Sequence, residues 1–301
     1  MRVTNKQLLN IVTRSVATSS QQLLKAQERV ASMKRINRPS DDPIGISKVL
    51  DYRKRIASIE QYTRNIASAK IQVETTATGL EDVHALLNDA KDIAITQFSA
   101  DDASGRETAA REVIGIYDRI RDIGNTRLGG SYIFAGHKTD APPFTTDENY
   151  ATTYHGDDGE INAIVGEGMS LKINAHGDET FTGVGVTDGI DIFGVLKELK
   201  DALEAPVYNP ADIEGQVSKL VKAMNQVENV MSQQSVAFKR LDQTENYWNN
   251  LKQKFENVLS KTEDADAAQV VVELQAQETA YEMALAAASS VLDKNLLDFL
   301  A

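Results

Sequence analysis

Apolar residues recur along most of this chain in steps of three and four, and the places where the stepping stops divide it into segments. Leu9, Val12, Val16, Ser19, Leu23, Ala26, Val30 and Met33 fall on one narrow helical stripe of coiled-coil type. Ile59, Ile66, Val73, Leu80, Leu87 and Ala94 recur at every seventh residue, with Tyr62, Ala69, Thr76, Val83 and Ala90 in the seam between them. That repeat predicts one helix of about 40 residues or more. Asp101 to Gly105 reads as a polar turn, after which Val113, Ile116, Ile120 and Ile123 mark a shorter helix closed near Gly129 and Gly130.

From Ser131 the period changes. Tyr132, Ile133 and Phe134 read as strand, and Met169, Leu171, Ile173 and Ala175 alternate with Ser170, Lys172, Asn174 and His176. Helix resumes at Ile192 and breaks between Pro206 and Pro210. It then runs through Ile213, Val217, Leu220, Met224, Val227, Met231, Phe238 and Leu241 in heptad register. Trp248, Leu251, Phe255 and Val258 continue it after a three-residue stammer. A joint at Thr262 to Ala268 precedes a last helix with Val270, Leu274, Gln277, Tyr281, Ala284, Ala288 and Val291 on its stripe.

The expected fold is mainly α, with two helical halves flanking a small β-rich insertion and completing one another side by side. Residues 1–42 and 263–301 are expected to form a terminal helical domain of coiled-coil type, 43–140 and 190–262 a helical rod, and 141–189 an outer β-rich insertion at the tip. The seams of the terminal helices are thin and Ala-rich, too small to hold a lone helix pair firmly, so neighbouring subunits are expected to complete them. Trp248 is most simply a core anchor of the long helix.

The first helical break is chemically the richest segment. In Arg35-Ile36-Asn37-Arg38-Pro39-Ser40-Asp41-Asp42-Pro43-Ile44-Gly45, Pro39 drives Arg38 out of helical backbone and so ends the first helix. Asp42 and Pro43 restart it as N-cap and first helical residue, and Asp41 and Asp42 suit the positive end of the new helix dipole.

Charge sharpens the pairing of the two ends. The chain carries a net −12, yet residues 1–60 hold 12 Lys and Arg against 5 Asp and Glu, whereas residues 261–301 hold 2 against 8. The two ends are therefore complementary. An acidic chain without a basic stripe interleaved with aromatics argues against a nucleic-acid partner. Residues 1–30 lack the apolar stretch of a signal peptide, and no run reaches the ~18 apolar residues a membrane span requires. Cysteine is absent, so thiolate nucleophiles, disulfides and thiolate-held metals are excluded.

Candidate chemistry is sparse. His84, His137, His155 and His176 lack the spacing that aims two rings at one ion, so no metal is expected. His155-Gly156-Asp157-Asp158-Gly159-Glu160 gathers acidic oxygens without the ligand spacing of a calcium loop, and reads as a solvated turn. Gly183-Val184-Gly185-Val186-Thr187-Asp188 has Asp where a dinucleotide loop needs glycine, and Gly136-His137-Lys138-Thr139 lacks the glycine before the lysine of a P-loop. No nucleophile elbow exists, so neither an enzyme nor a cofactor is expected.

The break segment, read as RINRPSDDPIG, resembles the N-terminal signature of the flagellin family in its hook-associated branch. Leu285 to Ala301, reading LAAASSVLDKNLLDFLA, resembles the C-terminal helix and tail of that family, and Gly130-Ser131-Tyr132-Ile133-Phe134-Ala135-Gly136 resembles the short strand after its third helix. Leu87 to Gln97 resembles the flagellin segment that innate immune receptors contact, with Asp89 where that pattern carries arginine.

The resemblance implies an elongated flagellin-like rod and a structural, non-enzymatic junction subunit between hook and filament, needed for motility. It implies partners in self (a ring of copies), the first hook-associated protein on the hook side, flagellin on the filament side and an export chaperone. It implies an extracellular, flagellar location reached through type III export without a cleaved signal peptide. The break residues Arg35, Ile36, Asn37, Pro39, Ser40, Asp41, Asp42 and Pro43 carry the family signature. Assembly contacts are expected from Val12, Val16, Leu23, Val30 and Met33 at one end, and from Leu274, Tyr281, Leu285, Val291, Leu292, Leu296, Leu297, Phe299 and Leu300 at the other. The alternatives are flagellin itself, or a secreted carbohydrate-binding or hydrolytic module carried by residues 141–189.

Overall fold

The computed structural model describes the backbone of residues 2–98 and 103–300, and the side chains of residues 7, 9–98 and 103–291. It is mainly α, with six helices and three two-stranded antiparallel hairpins among the described residues. The helices are α1 (Arg2–Ser32), α2 (Pro43–Phe98), α3 (Ala103–Gly124), α4 (Ile192–Glu204), α5 (Pro210–Glu263) and α6 (Ala267–Leu300). The hairpins pair β1 (Arg127–Leu128) with β2 (Ser131–Tyr132), β3 (Phe144–Thr146) with β4 (Thr152–Tyr154), and β5 (Asn162–Gly166) with β6 (Met169–Lys172). Two compact units emerge: Met1–Ser58 with Asn250–Ala301, and Ile59–Asn249.

The heptad stripe of α2 behaves as its period requires, and Ile59, Ile66, Val73, Leu80, Leu87 and Ala94 are all buried. In the larger unit, Leu80, Val83, Leu87, Ala90 and Ala94 share one core with Val113, Ile116 and Ile120 of α3, Leu196 and Leu199 of α4, and Leu220 and Val227 of α5. Starts follow cap chemistry. The Asp191 carboxylate accepts from the N–H of Phe193 at 3.0 Å to open α4, and Asn209 accepts from Ala211 at 3.2 Å ahead of Pro210 in α5.

The same core extends into the β-rich segment. Phe134, Phe144, Phe181 and Phe193 form an aromatic cluster with ring centroids 5.0–6.0 Å apart. Tyr117 meets Phe193 at 5.3 Å and Tyr150 at 5.4 Å. Gly124 closes α3 where a Cβ would lie 2.8 Å from the Phe144 ring, so the close approach of helix and strand requires glycine there. One buried amide ties several backbone groups together. Buried Gln226 accepts from the Ile190 N–H at 2.9 Å and donates to the carbonyls of Thr180 at 2.9 Å and Ile190 at 3.1 Å.

Four details differ from the pattern-based expectation. Ala103 to Gly105 already belong to α3, while Asp101 and Asp102 lie outside the described residues. Gly129 and Gly130 do not close α3, which ends at Gly124; with φ of 59° and 95° they make the tight turn of the first hairpin. Strand β2 stops at Tyr132, because Ile133 and Phe134 turn into the core. Strand β6 stops at Lys172: Asn174, expected to point outward, is buried, accepts from the Ile161 N–H at 2.9 Å and donates to the Gly159 carbonyl at 2.8 Å.

A second core in this unit joins Ile66, Ala69 and Val73 of α2, Val165 and Ile173 from the β-rich segment, and Leu241 of α5. Trp248 packs against it, lies tilted with its ring centroid 5.3 Å from that of Tyr62, and donates its indole N–H to the Val165 carbonyl at 2.6 Å. Trp248→Phe keeps most of the ring area and strands that carbonyl. It is expected to cost about 1–3 kcal/mol, read from urea unfolding by circular dichroism because the chain's single indole is then gone.

Candidate assembly surface

In the smaller unit, α1 and α6 pack along one another. Val12, Val16, Leu23 and Val30 on α1 are half-buried, Ala26 is fully buried, and Leu274, Tyr281 and Val291 on α6 are half-buried. The complementary charges of the two ends meet at Arg29, whose guanidinium donates to both carboxylate oxygens of Glu273 at 3.0 and 3.2 Å. Met33 and Leu285, expected in the same seam, are exposed instead. The side chains of Leu292, Leu296, Leu297, Phe299 and Leu300 lie outside those described.

Apolar side chains also remain on the outside of this unit. Ile11, Leu24, Val272 and Met283 are between 61% and 68% exposed. Sequence reasoning passed over these four because they stand off the main stripe. Their signal was an apolar residue beside a seam residue, as with Ile11 before Val12 and Leu24 after Leu23, one on each side of the stripe.

The break between α1 and α2 is built differently from the proline-driven stop that the sequence suggests. Helix α1 ends at Ser32, six residues before Arg38, because Met33 takes a left-handed conformation with φ of 53°. The chain then pairs with the turn between α5 and α6. Lys34 bridges Asp264, the Ala265 N–H donates to the Met33 carbonyl at 2.9 Å, and the Arg35 N–H donates to the Glu263 carbonyl at 2.7 Å. The Arg35 guanidinium reaches the Thr262 carbonyl at 2.7 Å. Asn37 donates its side-chain N–H to the Lys34 carbonyl at 3.3 Å, and Ile36 is buried.

Asp42 caps α2 as expected, accepting from the Gly45 N–H at 2.8 Å, and Pro43 is its first helical residue. Asp41 faces the other way: it accepts from the Arg38 N–H at 2.9 Å and the Asn37 N–H at 3.1 Å. These two N–H groups, Arg38's first, hold the Asp41 carboxyl below the usual carboxylate range. A Cβ at Gly45 would sit 2.4 Å from Asp42 Oδ2 and 2.6 Å from Ile36 Cδ1, so the glycine of the motif leaves room for the cap itself.

The histidines stay apart. His137 contacts the Glu160 carbonyl at 3.1 Å, His155 contacts Thr145 at 2.7 Å and His84 lies 3.1 Å from Glu228. Among the described residues no group of His, Asp and Glu is placed to hold a metal ion. Asp157 accepts from the backbone N–H groups of His137 at 2.6 Å and Gly159 at 3.0 Å, which hold its carboxyl low and spend it on shaping the turn. In the segment Leu87 to Gln97, Leu87, Ala90 and Ala94 are core while Asp89 and Asp92 line an open groove of about 860 Å³ with Glu112 and Arg119. No described helix is long and apolar enough to cross a membrane.

Paired terminal helices with apolar side chains left outside them stand beside a small β-rich segment packed into a helical core, and residues 3–139 match the family model of the bacterial flagellin N-terminal helical region. The chain is similar to flagellar hook-associated protein 3 of Escherichia coli strain K12, with 26% identity over 245 residues covering 77% of this chain and 76% of that one. A solved flagellar hook-associated protein from Vibrio parahaemolyticus shares the fold with a TM-score of 0.69 at 22% identity, over 74% of this chain and all of that one. The flagellar junction protein FlgL of Legionella pneumophila does so with a TM-score of 0.60 at 14% identity, over 73% of this chain and all of that one.

Proposed function

We propose that this chain is a structural subunit of the bacterial flagellum, the junction protein between hook and filament on which flagellin assembly begins. The observation that carries the reading is the terminal helix pair, which buries a narrow seam between α1 and α6 and leaves Ile11, Leu24, Val272 and Met283 outside it. Apolar residues left exposed on both helices suit burial against further helices of neighbouring subunits. In this reading the terminal helices form the inner layer, the remaining helices a rod, and residues 141–189 an outer region.

The neighbours are copies of the chain in a ring, the first hook-associated protein below and flagellin above, with an export chaperone before assembly and an extracellular destination. Association is the chemistry; no step calls for a catalytic group. A glycan-binding or hydrolytic role for residues 141–189 gains no support, since Phe144 and Phe181 are turned into the core and are not displayed for a sugar.

A strain lacking this protein is expected to build hooks without filaments and to release flagellin into the medium. Electron microscopy of the cells and immunoblotting of the supernatant decide it. Normal filaments on that strain would sink the junction reading. Seeding purified chain onto filament fragments separates the nearest alternative, because growth of long homopolymers would mean flagellin.

A further inference from the structure

The residue at the centre of the double joint has a peculiar position. Glu263 is the last residue of α5, where the helix dipole presents its negative end and disfavours a carboxylate. Its side chain is also only 5% exposed, which penalises the charge again. Two cations offset this. Lys34 comes from the joint between α1 and α2, and Arg53 from the first turns of α2; both pair with Oε1 of Glu263. The backbone of Glu263 serves the same contact, its carbonyl accepting from Arg35 at 2.7 Å and Ile36 at 3.4 Å. One residue thus ties together the end of α5, the joint that leads from α1 and the start of α2.

We infer that Glu263 is an ionic latch that makes the two joints, residues 33–42 and 264–266, a single hinge, so that α1 and α6 move on α2 and α5 together and in one register. This goes beyond the assembly role and does not depend on it. Each joint alone is a short stretch of non-helical backbone free to bend by itself. The Lys34 to Asp264 bridge and the Ala265 to Met33 hydrogen bond prevent that only while their strands stay side by side. The latch holds them there. The ion pairs are asymmetric: Lys34 and Arg53 are 37% and 47% exposed and can rehydrate when released, whereas Glu263 cannot.

That asymmetry fixes the test. Amide hydrogen exchange is measured on the full chain at neutral pH, following the N–H groups of Arg35 and Ala265, with Val113 and Ile120 in α3 as reference. Lys34→Gln with Arg53→Gln strands a buried carboxylate and is expected to speed exchange at Arg35 and Ala265 by about tenfold or more, with the reference amides unchanged. Adding Glu263→Gln removes the stranded charge and is expected to return most of the protection. Unchanged exchange at Arg35 and Ala265 in the double variant overturns the latch. So does a triple variant no better protected than the double one, or a rise that includes α3 equally, since the effect would then be packing or global unfolding.

Discussion

Replacing Leu23 and Val30 together with aspartate is expected to abolish incorporation into the flagellum while leaving the larger unit folded. Both side chains are half-buried where α1 lies along α6. Taking each out of an apolar seam and installing a carboxylate costs on the order of a few kcal/mol in total, more than a narrow helix pair contributes by itself. The larger unit draws its two cores from residues 66–241 and includes neither position. Two measurements check this: immunolabelling of isolated hooks for the variant, and its thermal unfolding. Retained labelling would show that the terminal pair is not needed for assembly. Loss of the main cooperative transition would show that the seam supports the larger unit too.

Phe181→Ala is expected to cost the larger unit about 3–5 kcal/mol, a large part of the stability of an ordinary domain. Phe181 is fully buried and touches three other aromatic rings, those of Phe134, Phe144 and Phe193. It sits in a π-helical turn, Asp178–Thr182, whose backbone Gln226 fastens to α5 through the Thr180 carbonyl, so the surroundings are poorly placed to collapse into the cavity. Denaturant unfolding against Phe98→Ala, an exposed phenylalanine, provides the comparison. A cost below about 1 kcal/mol for Phe181→Ala would mean that the β-rich segment is a passenger on the helical core.

The helices were legible because their signal is long. A heptad repeat held from Ile59 to Ala94 leaves one solution, a helix with that stripe buried, and the proline and aspartate pair at Asp42 and Pro43 marked its start correctly. The pairing of the ends was legible in charge, and Arg29 with Glu273 is its realisation. What escaped were features fixed by contacts distant in sequence. Met33 ends α1 because its carbonyl is claimed by Ala265, more than two hundred residues away, and nothing local foretells a left-handed methionine. Asn174 and Gln226 look like surface residues in any pattern, and are inside because each satisfies backbone groups there. Ile11 and Leu24, Val272 and Met283 were overlooked for a different reason: a periodicity that picks out one stripe passes over apolar residues beside it.

The closing of α1 on α6 sets a timetable. Arg29 and Glu273 stand 244 positions apart, so α1 meets its partner only after all the chain between them has been made. Ring closure over such a length is entropically slow, and the chain between them already carries a core made of its own residues, 59–249. The chain between them can therefore build its own core while α1 waits for α6. For as long as it waits, the N-terminal helix is the part of a growing or emerging chain most open to capture by something else.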